Sequence, residues 1–188
     1  MQMKVQTGFT LTELLVAVAV FAITVSFAVP NFREFIANNR LVSTTNDFVS
    51  SLLVGRSEAA KRKVTVTVCG SSDGASCNTS SWENGWIVFT DIDGDGTLDS
   101  GTDEMLQVNS AVGNSLTIRT VGFAQAGRVQ YGPKGTIDST GSFKLCDSRG
   151  ASYARAININ ITGRTRLATD DDSDGIVNDY SGGNLTCP

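Results

Sequence analysis

Residues 91–99, Asp-Ile-Asp-Gly-Asp-Gly-Thr-Leu-Asp, place Asp91, Asp93, Asp95 and Asp99 at positions one, three, five and nine of a calcium-loop spacing, with Gly96 at six. Hard cations need several oxygens converging on one point, and a glycine-turned loop can supply them. Position twelve is Thr102 in place of the bidentate Glu, with Asp103 and Glu104 directly after it. Two readings therefore stand, a calcium loop and a plain Asx/Gly hairpin turn between strands. A second acidic run, Asp170, Asp171, Asp172 and Asp174 before Gly175, with Asn178 and Asp179 behind, has related chemistry. A divalent ion would relieve the repulsion among its carboxylates. The plainer reading is a solvated, mobile loop held only by a disulfide. Arg164 and Arg166 are two apart, so on a strand both guanidinium groups face one side, where a forked pair suits phosphate. The carboxylates just downstream would repel a polyanion.

Glu13 is the remaining conspicuous group. It is the one ionisable side chain in the apolar run 9–29, roughly 21 residues, or about 31 Å of helix at 1.5 Å per residue, the thickness of a hydrocarbon core. A carboxylate near the start of a membrane span is costly and usually functional. It needs a cationic partner, and none lies within the span.

The absent residues narrow the chemistry further. The chain has no His, which removes the commonest general base and metal ligand and argues against a hydrolytic triad or a zinc enzyme. No Gly-rich loop has P-loop or dinucleotide form. A net charge of −4 over 188 residues gives no basic footprint for nucleic acid. No enzymatic activity is expected and no cofactor is required, with calcium the one candidate.

These groups must be carried by a long helix and a set of strands. Beyond Pro30, which should kink or open the helix, Phe32, Phe35, Ile36, Leu41, Phe48, Leu52 and Ala59 recur at helical spacings to about residue 62. Branched and aromatic runs predict strands over 64–68, 85–90, 104–110, 116–121, 128–131, 142–146 and 154–167, the last broken at Gly163. The expected fold is α+β, a long N-terminal helix packed on antiparallel sheets. Residues 9–29 form its membrane half, and 30–188 form one globular domain that begins with the amphipathic helix of about 31–62.

Gly8-Phe9-Thr10-Leu11-Thr12-Glu13 heading a continuous apolar helix resembles the class III signal of type IV pilins and type II secretion pseudopilins. The segments Gly85-Trp86-Ile87-Val88-Phe89-Thr90-Asp91, Gly141-Ser142-Phe143-Lys144-Leu145-Cys146-Asp147 and Ile161-Thr162-Gly163-Arg164-Thr165-Arg166-Leu167 are similar to the FimT/FimU–GspH group of minor pilins and pseudopilins. The resemblance implies that 1–8 is a leader, that a prepilin peptidase/N-methyltransferase cuts after Gly8, and that Phe9 becomes the methylated mature N-terminus. It implies that Glu13 neutralises the N-terminal amine of a neighbouring pilin as helices pack into a filament. The partners are then other major and minor pilins. The location is the bacterial inner membrane, with the C-terminal domain periplasmic, and then the pilus surface. The implied function is a minor pilin helping to initiate a type IV pilus at or near its tip. The alternatives are a type II secretion minor pseudopilin and a FimT-like DNA-binding pilin that uses Arg164 and Arg166 in natural transformation.

In a chain exported beyond the inner membrane, four Cys read most simply as two disulfides. Of three pairings, Cys69–Cys77 with Cys146–Cys187 is favoured: the first closes a short polar loop, and the second ties down an otherwise loose C-terminus.

Overall fold

The computed structural model describes residues 8–113 and 115–187; the expected leader, 1–8, lies outside them apart from Gly8. The chain divides into two units, Met1–Arg40 and Leu41–Pro188.

Helix α1, Leu11–Arg62, starts in the first unit. Every residue from 8 to 36 is exposed, and α1 is the one helix among the described residues long and apolar enough to cross a membrane. Its polar side chains turn back onto helix carbonyls. Thr24 Oγ1 donates to Phe21 O at 2.8 Å, Ser26 Oγ to Ile23 O at 2.7 Å, and Asn31 Nδ2 to Phe27 O at 2.8 Å. Such bonds satisfy polar groups without water, as an apolar solvent requires. The helix runs through Pro30 without the expected opening. Proline removes the N–H that would reach the Ser26 carbonyl, while the Asn31 amide donates to the next carbonyl, Phe27 O.

In the second unit, α1 buries Leu41, Thr44, Thr45, Phe48, Ser51, Leu52, Gly55 and Ala59, a single stripe at three- and four-residue spacing. Phe48 meets Trp82, Trp86 and Phe143 edge-on, with ring centroids 5.5, 4.9 and 4.7 Å away, a geometry that aromatic quadrupoles favour. The Trp86 indole donates to Ser51 Oγ at 2.9 Å, so a serine can stand in this stripe.

Two antiparallel four-stranded sheets complete the unit. The first has strands β1 (Val66–Gly70), β2 (Gly85–Thr90), β3 (Met105–Ser110) and β5 (Arg128–Tyr131) in the order β3-β2-β1-β5. The second has β4 (Leu116–Val121), β6 (Gly141–Asp147), β7 (Arg155–Ile159) and β8 (Thr165–Leu167) in the order β4-β6-β7-β8. Alternate residues of β1 and β2 point to opposite faces. Val66, Val68, Trp86 and Val88 join the α1 core. Cys69, Ile87 and Phe89 form a separate cluster roofed by Cys77, Leu98 and Met105. Both faces are therefore covered, and every residue of β1 and β2 is buried.

The strand expected over 154–167, broken at Gly163, is a hairpin with that glycine in its turn. β7 and β8 pair as Ile157↔Leu167, Asn158↔Arg166 and Ile159↔Thr165. The reversal is made at Asn160 to Arg164: Gly163 N–H donates to Asn160 O at 2.8 Å, and Arg164 N–H to Asn160 Oδ1 at 3.0 Å. Gly163 has φ +71°, and a Cβ there would lie 2.0 Å from Gly135 O, so the turn needs glycine. The acidic run is not held by a disulfide alone. Ile176, Val177 and Leu185 pack with Cys146, Ala154 and Ala156, and buried Asn178 donates to Gly182 O and Asn184 Oδ1.

Candidate functional site

At the N-terminus, Thr10 and Glu13 form a reciprocal cap on α1. Glu13 N–H donates to Thr10 Oγ1 at 3.2 Å, and Thr10 N–H donates to Glu13 Oε2 at 3.0 Å. This is the capping box spelled by Thr-x-x-Glu, and a carboxylate in the first turn also suits the helix dipole. The sequence reading missed it, although the three-residue spacing was visible. Phe9, just ahead of it, is 91% exposed. Gly8 is also exposed.

The loop between β2 and β3 draws Asp91, Asp93 and Asp95 together, with one carboxylate oxygen from each within 4.8 Å of the others. Asp91 is fully buried. Its Oδ2 accepts from Thr67 Oγ1 at 2.5 Å, Gly96 N–H at 3.0 Å and Gln130 Nε2 at 2.8 Å, whereas its Oδ1 is buried with no hydrogen-bond partner. Asp99 lies on the same loop. Partial desolvation, then the charges of Asp95, Asp93, Asp103 and Asp91, push its carboxyl above the ordinary range. Asp103 closes the loop, accepting Ile92 N–H at 3.0 Å and Asp99 N–H at 2.9 Å. Strand β5 docks the loop: Gln130 Nε2 donates to Gly94 O and Arg128 Nη1 to Asp95 O. Gln130 and Arg128 carried no signal in the sequence, because only strand pairing brings them opposite the loop.

Arg164 lies in the β7–β8 turn, not on a strand, and Arg166 lies on β8; both are exposed. They line one cleft of about 330 Å³ with Asn158, Asp171, Asp179 and Tyr180. The cleft therefore mixes two guanidinium groups with two carboxylates. Cys69 is bonded to Cys77 and Cys146 to Cys187, with Cα–Cα distances of 5.5 and 5.8 Å. Asp170, Asp172 and Asp174 form a further acidic cluster, none of them buried.

Residues 44–163 match the family model of type II transport protein GspH, and residues 3–29 match the prokaryotic N-terminal methylation motif. No curated protein matches. Among solved structures, the type IV minor pilin FimU of Pseudomonas aeruginosa, in two crystal forms, gives TM-scores of 0.55 and 0.52 at 21% identity. Those matches cover 72% and 69% of this chain and 92% and 93% of FimU. The minor pseudopilin EpsH from the Type 2 Secretion System of Vibrio cholerae gives 0.49 at 11% identity, over 71% of this chain and 99% of EpsH. The FimU likeness extends to the α+β arrangement of one long N-terminal helix and antiparallel sheets. With the family model spanning well over half of its length, the chain belongs to the GspH family of minor pilins and pseudopilins.

Proposed function

We propose that this chain is a minor pilin of a type IV pilus, a structural subunit that helps to start assembly and sits at or near the tip. The observation that carries the reading is the first part of α1: exposed from residue 8 to 36 and mostly apolar over 9–29, with one ionisable side chain, the capped Glu13. In water that surface is a liability. In the inner membrane it is a storage form, and in a filament it is the packing surface. On this reading a prepilin peptidase/N-methyltransferase cuts after Gly8 and methylates Phe9, and Glu13 then meets the amine of a neighbouring pilin. The methylation-motif match over 3–29 supports this processing. The domain of residues 30–188, periplasmic before assembly, faces outward and selects partners.

Mass spectrometry of the mature protein from its native host tests the processing step. A methylated Phe9 terminus is expected, and an intact Met1 would remove the pilin reading. A second reading, a minor pseudopilin of a type II secretion filament, is favoured by the description of the matched family model. Deleting the gene separates the two: loss of surface pili supports the first, and retention of secreted proteins inside the cell supports the second. DNA capture by Arg164 and Arg166 is less favoured, because Asp171 and Asp179 share their cleft and like charge would offset much of the attraction for phosphate. If gel shifts of the full chain in detergent show salt-sensitive binding that Arg164→Ala and Arg166→Ala abolish, the DNA role is restored.

A further inference from the structure

The buried Asp91 carboxylate is solved on one side only. Oδ2 accepts three donors, from β1, β5 and the loop itself, while Oδ1 is equally buried and accepts none. An anionic oxygen withdrawn from water without a partner is among the costliest arrangements in a folded protein. The carboxylate belongs to the group whose oxygens approach those of Asp93 and Asp95 within 4.8 Å. Bringing like charges so close is unfavourable unless a cation joins them. None of the ion pairs described involves Asp91, Asp93, Asp95 or Asp99. Arg128, the nearest guanidinium on the docking strand, gives its described hydrogen bond to the Asp95 carbonyl and not to a carboxylate.

From this geometry we infer that the β2–β3 loop is a calcium site, with Asp91, Asp93 and Asp95 as its ligating side chains and Asp99 further along the same loop. The cation completes Asp91 Oδ1 and neutralises the cluster. The donor set is all oxygen, which selects a hard cation. A loop with several carboxylates suits the larger and more variable coordination of Ca²⁺ over the strict octahedron of Mg²⁺. The loop's backbone supports this use, since Gly94 and Gly96 take φ of +78° and +79° and turn the chain around the cluster. Asp103 holds the loop's far end through two N–H groups. Because Asp91 also bonds Thr67 of β1 and Gln130 of β5, the ion acts beyond its loop: it locks the β2–β3 connection onto two neighbouring strands. The acidic run at Asp170, Asp172 and Asp174 also gathers oxygens within 4.8 Å, but none of the buried atoms without a partner belongs to it, and it serves as the internal comparison.

Thermal unfolding of the full chain in detergent micelles tests the assignment. With EDTA as the reference, CaCl₂ at about 10 mM should raise Tm by several degrees, as a site of roughly 0.1 mM affinity requires at such an excess. Asp93 and Asp95 are exposed, so Asp93→Asn/Asp95→Asn should fold and lose that rise. Asp170→Asn/Asp172→Asn/Asp174→Asn should keep it. The inference is overturned by no calcium response in the wild-type chain, by a response that persists in Asp93→Asn/Asp95→Asn, or by an equal response to MgCl₂. None of these outcomes bears on the processing at Gly8 and Phe9, so the site and the pilin reading stand or fall separately.

Discussion

At the scale of single residues, Glu13 serves two demands with one carboxylate. Within the chain it caps Thr10 and starts the helix; in the proposed filament it meets a neighbour's amine. Glutamine can make the cap but carries no charge. A filament defect in Glu13→Gln would therefore report the charge, and any further loss in Glu13→Ala would report the cap. Glu83 shows a carboxylate whose environment is settled within the fold. Burial pushes its pKa up, but the Arg119 guanidinium and the Ile118 N–H at 3.1 Å outweigh it, and the carboxyl titrates below its ordinary value of 4.5. A depressed acid stabilises the fold fully above its unfolded pKa and loses that contribution as pH falls through the lower folded value. Thermal unfolding followed downward from pH 6 should show wild-type Tm falling below about pH 4.5. Glu83→Gln should start lower and fall less steeply. Parallel curves would assign the acid sensitivity to other carboxylates.

At the scale of elements, α1 meets the first sheet closely enough to require a glycine. A Cβ on Gly55 would lie 2.8 Å from Val68 Cγ2 and 3.3 Å from the Tyr131 ring. Alanine gains about 1 kcal/mol of helix propensity over glycine, but the Val68 methyl is on a stiff, fully buried strand residue and overpacking costs about 1–3 kcal/mol. Gly55→Ala should therefore lower stability by about 1 kcal/mol in urea unfolding; a gain would mean that the interface yields easily. The expected helix and sheets were legible because Phe48, Leu52 and Ala59 keep helical spacing and Val66 and Val68 keep strand spacing. The β7–β8 turn was legible only as a break at Gly163: Ile157, Ile159 and Ile161 continue one alternation, yet Ile161 already lies in the reversal. Local pattern cannot report a pairing between strands, and the same blindness hid Gln130 and Arg128 opposite the acidic loop. The Asp91 spacing itself was legible, but the burial of Asp91 was not, because it depends on Thr67 and Gln130 from elsewhere in the chain.

At the scale of the whole molecule, the buried apolar side chains among the described residues form one large cluster around α1 and two small ones on outer faces of the sheets. Each disulfide belongs to a small cluster: Cys69–Cys77 to the roof over β1 and β2, and Cys146–Cys187 to the C-terminal cover of the second sheet. Sequence separations of 8 and 41 set their chain-entropy contributions apart, by about 1.5 kcal/mol in favour of the longer loop. Urea unfolding of Cys146→Ala/Cys187→Ala and Cys69→Ala/Cys77→Ala should show the first variant as the weaker by that margin. Equal losses would mean that local packing, and not loop closure, sets their worth. The roof over Ile87 and Phe89 also matters for solubility. Until Cys69 and Cys77 join, the Cys77 part of that roof, beside Leu98 and Met105, rests on a short, polar, glycine-containing loop. An uncovered apolar sheet face is an invitation to aggregate. If the first helix gathers neighbours in a membrane, as proposed, timely oxidation would favour their meeting through helices over their meeting through exposed sheet faces.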